Sequence, residues 1–303
     1  MKVGVILMIG EDPAVGKPAS YTHLRSLALH VEDTGFDSVW VYDHLLYRFP
    51  ERDTMGIWEG WTIFSALCEA TQRVELGQLV MCVPFRHPAV LAKMAITADE
   101  VSGGRTILGL GAGWHKPEFD AFGAQFHHLG DQFQEGIEII APLLREGKVD
   151  ARGTYFSAPE CEMRPRGPRP GGPPIHVAAR GPRMLRLTAK HADGWNAAWF
   201  GQPTLFHERR AAMLAACADV GRDPKTLDIT VGISVGYPEL AELPEIASDP
   251  DKFLIGSPEQ IASGLKEYAD LGVSHAIVNP TSTRLEAVTE LAKALDIFRQ
   301  MQV

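Results

Sequence analysis

Short, almost continuous apolar runs alternate with amphipathic stretches from one end of the chain to the other. The runs are "KVGVILM" (2–8), "DSVWVYD" (37–43), "VELGQLVMCV" (74–83), "TILGLGAG" (106–113), "PIHVAA" (174–179), "GWNAAW" (194–199), "LDITVGISVG" (227–236) and "HAIVNP" (275–280). Their length and β-branched content predict eight strands. Between them, 21–35, 87–104, 257–272 and 284–301 carry helical periodicity, and several of these stretches end at a glycine. Strands that are apolar throughout must be covered on both faces, which implies a parallel sheet wrapped in helices. An eightfold repeat favours an α/β fold closed into a (β/α)8 TIM barrel over an open doubly wound sheet. No break in composition divides the 303 residues, so the expectation is one domain, 1–303, with loop insertions near 43–58, 113–130, 150–173 and 236–256.

A barrel of this kind keeps its chemistry at the carboxyl ends of the strands. That rule singles out the segments after strands, 43–58, 113–130 and 236–256. The proline-rich 150–173, with "RPRGPRP" at 164–170, precedes the fifth strand and is expected on the opposite, structural face. Charge narrows the partners. With 38 acidic against 29 basic side chains the net charge is −9, which argues against nucleic acid. The opening run is too short for a secretory core or a membrane span, so no membrane partner is expected. Four cysteines without a CxxC pair suit a reduced, cytoplasmic protein.

Candidate chemistry follows from the strand ends. Gly109, Gly111 and Gly113 recur every second residue of the fourth strand, so they are expected to face one side and let a flat ligand approach the main chain; relief of crowding is the plainer alternative. The pattern is not the G-x-G-x-x-G of a Rossmann site. After the fifth strand, "AARGPR" leads into a helix whose first amides, beside Arg180 and Arg183, offer an anion seat. The second strand ends in Asp43 and His44, a histidine placed to act as acid or base, with Asp43 either orienting it or turned toward the helices. His87 reads as a helix-start residue. Trp58, Trp114, Trp199 and Phe200 lie near strand ends and would wall an apolar substrate pocket. No His-x-His, His-Glu-x-x-His, Gly-x-Ser-x-Gly or Walker-type loop is present, so no metal site is expected and hydrolase chemistry has no support.

Taken together, "VWVYDHLLY", "LVMCVPFRHPAVLAK", "DEVSGGRTILGLGAGWHKPEFDAFG" and "PPIHVAARGPRMLRLTAKHADGWNAAW" closely resemble the luciferase-like monooxygenase superfamily, flavin- or deazaflavin-dependent enzymes on a (β/α)8 barrel. The resemblance implies that His44 is the catalytic group. It implies cofactor contacts from Asp43, from Leu79 and Val80 at a non-proline cis peptide, from Gly111, Ala112 and Gly113, and from Ala179, Arg180, Gly181 and Pro182 around the phosphate. Luciferase-type members carry an arginine at the position of Ala112. Its absence, with "GAGW" in its place, resembles the branch that uses coenzyme F420, and Arg48, Arg52 or Arg183 would then face the acidic tail of that cofactor. The sugar dehydrogenases of the superfamily carry a glutamate where this chain has Trp114, so glucose-6-phosphate oxidation is not implied. The expectation is an oxidoreductase moving hydride between coenzyme F420 and a small organic substrate, with the loops 45–58 and 236–256 closing over it. The alternatives are an FMN-dependent monooxygenase using reduced flavin and oxygen, and a non-catalytic flavin-binding protein. Oligomeric state stays open, a homodimer being one option.

Overall fold

The computed structural model describes residues 1–12, 16–240, 243 and 245–302. Eight parallel strands form its centre: β1 (Lys2–Ile6), β2 (Ser38–Val41), β3 (Glu75–Gln78), β4 (Thr106–Gly111), β5 (Ile175–Ala178), β6 (Gly194–Phe200), β7 (Asp228–Gly236) and β8 (His275–Asn279). Each pairs with the next in chain order. β8 returns to β1 in register from Lys2↔His275 to Val5↔Val278, so the sheet closes into a (β/α)8 barrel. All eight apolar runs of the sequence are these strands. The helices are α1 (Tyr21–Asp33), α2 (Gly60–Ala70), α3 (Pro88–Val101), α4 (Lys116–Phe122), α5 (Leu129–Arg145), α6 (Pro182–His191), α7 (Thr204–Asp219), α8 (Pro258–Asp270) and α9 (Leu285–Gln300).

Alternation along the strands divides the core in two. Trp195 of β6 points outward and stacks on Phe206 of α7 at 6.1 Å, part of the layer between sheet and helices. Trp40 of β2 and His176 of β5 stack at 6.4 Å although their strands are not neighbours, so both fill the barrel interior. Ser38 binds this interior layer together, accepting from the Trp40 indole N–H and meeting His275 Nε2, each at 2.7 Å. Room for the rings comes from the facing glycines: a Cβ at Gly77 would overlap the Trp40 ring, and one at Gly194 would stand 2.6 Å from His176. The interior is therefore packed below the mouth rather than hollow.

The segments between elements differ from the sequence expectation in detail. The stretch 150–173 is not all loop, because Lys148–Arg152 and Ser157–Glu162 pair antiparallel. The turn of that hairpin is fixed by Glu135 of α5, whose carboxylate accepts from the amides of Thr154, Tyr155 and Phe156. Its proline-rich end does lie at the amino side of the strands. Arg169 grips the buried Asp99 and the carbonyl of Thr106 at the start of β4, and Arg166 caps the carbonyls of Leu144 and Arg145. The segment 43–58 folds as a hairpin of Leu46–Tyr47 with Met55–Gly56. In 236–256, residues 241, 242 and 244 lie outside the described residues; Leu254–Ile255 pairs with the end of β7. His87 starts α3, its Nδ1 accepting the Ala89 amide at 3.3 Å.

Candidate active site

At the carboxyl ends of the strands lies a cleft of about 550 Å3, inside the range of roughly 300–1,000 Å3 usual for small-molecule and cofactor sites. It gathers most of the residues singled out from the sequence. His44, Leu79, Val80, Gly111, Ala112 and Gly113 line one side, and Ala179, Arg180, Gly181, Trp199 and Phe200 the other, with Trp114 at the rim.

His44 follows directly on the β2 end. Its Nδ1 lies 2.9 Å from Oε1 of Glu118, a carboxylate that is 1% exposed, while Oε2 of the same group accepts the Leu45 amide at 2.9 Å. Glu118 reaches this place because α4 begins right after the β4 loop and turns Glu118 and Phe119 inward. A carboxylate accepting at Nδ1 puts the ring proton there, which leaves Nε2 of the neutral imidazole as an acceptor. Nε2 has no partner among the described residues. Aromatic rings hold the imidazole from the sides: Tyr47 at 4.6 Å and Trp114 at 5.5 Å. Burial pushes the Tyr47 hydroxyl well above its ordinary pKa, so it stays protonated. His115, next to Trp114, accepts the Arg48 amide through Nε2 at 3.0 Å, and burial lowers its pKa, which suits that acceptor role.

Asp43 sits at the base of the cleft, but its oxygens are committed. Arg86 donates to both, at 2.6 and 2.9 Å, and the Cys82 amide donates at 2.9 Å. Burial raises the pKa of this carboxyl, against the pull of Arg86. Asp43 thus braces the segment after β3 while lining the cleft. That segment contains a cis peptide at Leu79–Val80, after which Met81–Cys82 resumes pairing with β4.

The glycines of β4 do something other than leave open space. A Cβ at Gly109 would overlap the Gln78 carbonyl, and one at Gly111 would stand 2.5 Å from Val80 Cγ2. Their bareness lets the β3 end pack closely, so that Leu79 and Val80 become the wall of the cleft. Gly113 has left the strand: its φ of +82° is in the left-handed region, and a Cβ there would meet Phe119 and Cys82. The expectation that all three face one side holds only within β4.

Other expected residues stand outside the lining or are engaged elsewhere in the fold. Trp58 does not line the cleft; its indole N–H donates to the Ala19 carbonyl at the edge of the barrel. Pro182 is the first residue of α6 and also stands outside the lining, although Gly181 before it is within. Phe200 is 6% exposed and meets Phe206 edge-on at 5.8 Å, so most of it belongs to the core. Arg183 is paired with Asp131 at 2.6 Å and Gln134 at 2.8 Å, and the Arg48 guanidinium donates to Thr54.

Among the lining residues that the sequence reading did not single out are Glu118, Asn196 and Arg209. Glu118 was visible only as part of an acidic turn. Asn196 of β6 is 2% exposed and lines the cleft; its Nδ2 donates to Thr230 Oγ1 at 2.9 Å, and its Oδ1 has no partner. Arg209 of α7 also lines the cleft. An unmatched buried acceptor, an apolar wall and the cations Arg180 and Arg209 in the lining fit a planar, hydrogen-bonding ring with a charged tail.

Comparison with known proteins gives this geometry its context. The profile of the family described as luciferase-like monooxygenase matches residues 1–242. An F420-dependent glucose-6-phosphate dehydrogenase of Amycolatopsis mediterranei is 32% identical over 178 residues, 57% of this chain and 52% of that one. A pyrimidine monooxygenase of Klebsiella pneumoniae subsp. pneumoniae is 27% identical over 239 residues, 74% of this chain and 64% of its own length. The match thus spans less than two thirds of either relative. An F420-dependent secondary alcohol dehydrogenase, solved in complex with an F420-acetone adduct, superposes with a TM-score of 0.79 at 17% identity, covering 98% of this chain and 99% of the other, which speaks to the fold. With its barrel closed, its cleft at the carboxyl ends and its first 242 residues matched, the chain belongs to the luciferase-like monooxygenase family.

Proposed function

We propose that the protein is an oxidoreductase that binds coenzyme F420 across the carboxyl ends of the barrel strands and exchanges hydride with a small organic substrate. The observation that carries this reading is the directed histidine. Glu118 fixes the Nδ1 proton of His44 and leaves Nε2 without a partner among the described residues in a ring that lines the cleft, the arrangement a proton carrier beside a redox ring requires. A flavin carrier without catalysis would have no use for it. The deazaflavin is favoured over FMN by the methyl group of Ala112 at the position where luciferase-type members carry an arginine, and by the kinship with an F420-dependent dehydrogenase.

When bound, the cofactor supplies the hydride chemistry; the chain supplies placement and proton handling. Val80, Leu79 and the main chain of Gly111–Gly113 would support one face of the ring. Asn196 Oδ1 would accept from a ring N–H. The first-turn amides of α6, with Arg180 and Gly181, would hold the phosphate. His44 Nε2 takes a proton from, or gives one to, the substrate oxygen or nitrogen, while Trp114 and Trp199 at the rim restrict water. A cytoplasmic setting belongs to the same proposal and accords with four free cysteines. No helix among the described residues is long and apolar enough to cross a membrane.

The second reading, an FMN-dependent monooxygenase, draws on the kinship with the pyrimidine monooxygenase. Oxygen consumption separates the two: the proposed reaction runs anaerobically. The test of the chemistry is His44→Ala, which is expected to lower turnover by about 10²-fold or more while cofactor still binds. Wild-type turnover in that variant, with cofactor bound, would refute the proposal.

A further inference from the structure

The cleft lining carries two arginines, Arg180 and Arg209, that the hydride and proton steps leave unused. α7 turns Phe206, Met213 and Cys217 inward, and Phe206 stacks on Trp195. Arg209 follows Phe206 by three residues, so it lies on that inner face of the helix, where an apolar side chain would be expected. It is half-buried and lines the cleft, whose walls also carry Arg180 and Gly181. Neither Arg209 nor Arg180 has a hydrogen-bond or carboxylate partner among the described residues. Arginines nearby are different: Arg183 is paired with Asp131, and Arg86 with Asp43 and Glu59. A guanidinium brought partly out of water without a counter-charge is costly, and Arg209, with the exposed Arg180 in the same lining, gives an otherwise apolar cleft a field that favours an anion. The β4 side offers no cation, since Ala112 occupies the wall there.

We propose that Arg209 recognises the phosphate of the bound cofactor, supplying from α7 the positive charge that β4 and its loop lack. The inference rests on the cofactor reading given above. The planar guanidinium can donate two parallel N–H bonds to phosphate oxygens, while the α6 amides and Arg180 meet the others. Arg209 therefore sets the preference for a phosphorylated ring over the same ring without its phosphate.

The test is equilibrium binding, not activity. Two pairs of probes are titrated by fluorescence into wild-type protein, Arg209→Met and Arg209→Lys: FMN against riboflavin, and coenzyme F420 against its deazaflavin riboside without phosphate. Arg209→Met is expected to weaken the phosphorylated member of each pair about 10- to 100-fold and to leave the phosphate-free member unchanged. Arg209→Lys, which keeps the charge and loses the fork, is expected to fall between the two, and the wild-type preference is expected to shrink as salt is raised. Equal weakening of both members, or an unchanged ratio, would overturn the role of Arg209 while leaving the cofactor reading intact. Failure of wild-type protein to bind any of the four would overturn both.

Discussion

Replacing Glu118 by glutamine changes one oxygen for an NH2 group at a position that is 1% exposed, and its consequences can be worked out atom by atom. The carboxylate now satisfies two donors at once, His44 Nδ1–H and Leu45 N–H, both at 2.9 Å. An amide can satisfy only one. If its oxygen keeps the Leu45 amide, its NH2 faces Nδ1, which must give up its proton; the neutral ring then carries hydrogen on Nε2 and loses its acceptor toward the cleft. If its oxygen keeps Nδ1–H, the NH2 opposes Leu45 N–H and two donors face each other. Either arrangement forfeits one charge-assisted hydrogen bond, about 1.5–3 kcal/mol, and the first also removes the general base. Since proton transfer by a placed side chain contributes roughly 10²–10⁴-fold, a fall of about 10²-fold in the single-turnover rate of hydride transfer is expected, with cofactor affinity unchanged. The assay is the absorbance change of bound cofactor under anaerobic conditions, paired with nitrogen NMR of the His44 ring to read the tautomer. A variant that reacts at the wild-type rate with the proton still on Nδ1 would refute the reasoning.

Two further predictions concern the scaffold. Burial inside the barrel lowers His176 to about 4 and His275 to about 3, below the roughly 6.5 expected of an unfolded histidine. Both are neutral in the folded state, so their stabilising effect is complete above pH 6.5 and is lost as pH falls toward 4 and then 3; each is expected to cost about 1.4 kcal/mol per pH unit in that window, measured by urea unfolding between pH 7 and 5. His275→Asn should flatten the slope, and a slope unchanged by it would count against the account. Gly109→Ala drives a methyl group into the Gln78 carbonyl, a backbone atom that cannot swing away, and should cost about 3 kcal/mol or more of stability. Gly111→Ala meets only the end of the Val80 side chain, so it should be milder on stability and instead weaken cofactor binding by pushing Val80 into the cleft. Equal effects of the two in thermal melts would argue against that distinction.

The barrel was legible in the sequence because burial on both faces of a parallel strand forces a continuous apolar run, and eight such runs leave few architectures. The hairpins at 46–56 and 148–162 were not legible. Leu46–Tyr47 with Met55–Gly56 is too short to show a period, and Lys148–Arg152 alternates only between exposed and half-exposed positions. At the site, residues fixed by strand ends, such as His44, Val80, Gly111 and Arg180, came out in the cleft, whereas Trp58, placed by a loop, did not. The pairing of His44 with Glu118 joins residues 74 apart and depends on where α4 docks, which no local pattern encodes. Arg209 did leave a signal: a cation three residues after Phe206, on the stripe that continues to Met213 and Cys217. It marks a helix face that the core does not wholly claim.

Side-by-side equilibrium titration of the purified protein with coenzyme F420 and FMN bears most directly on the account. Tighter binding of coenzyme F420, by at least about tenfold, is the predicted result. FMN binding as tightly or more tightly, or no binding of either, would contradict it.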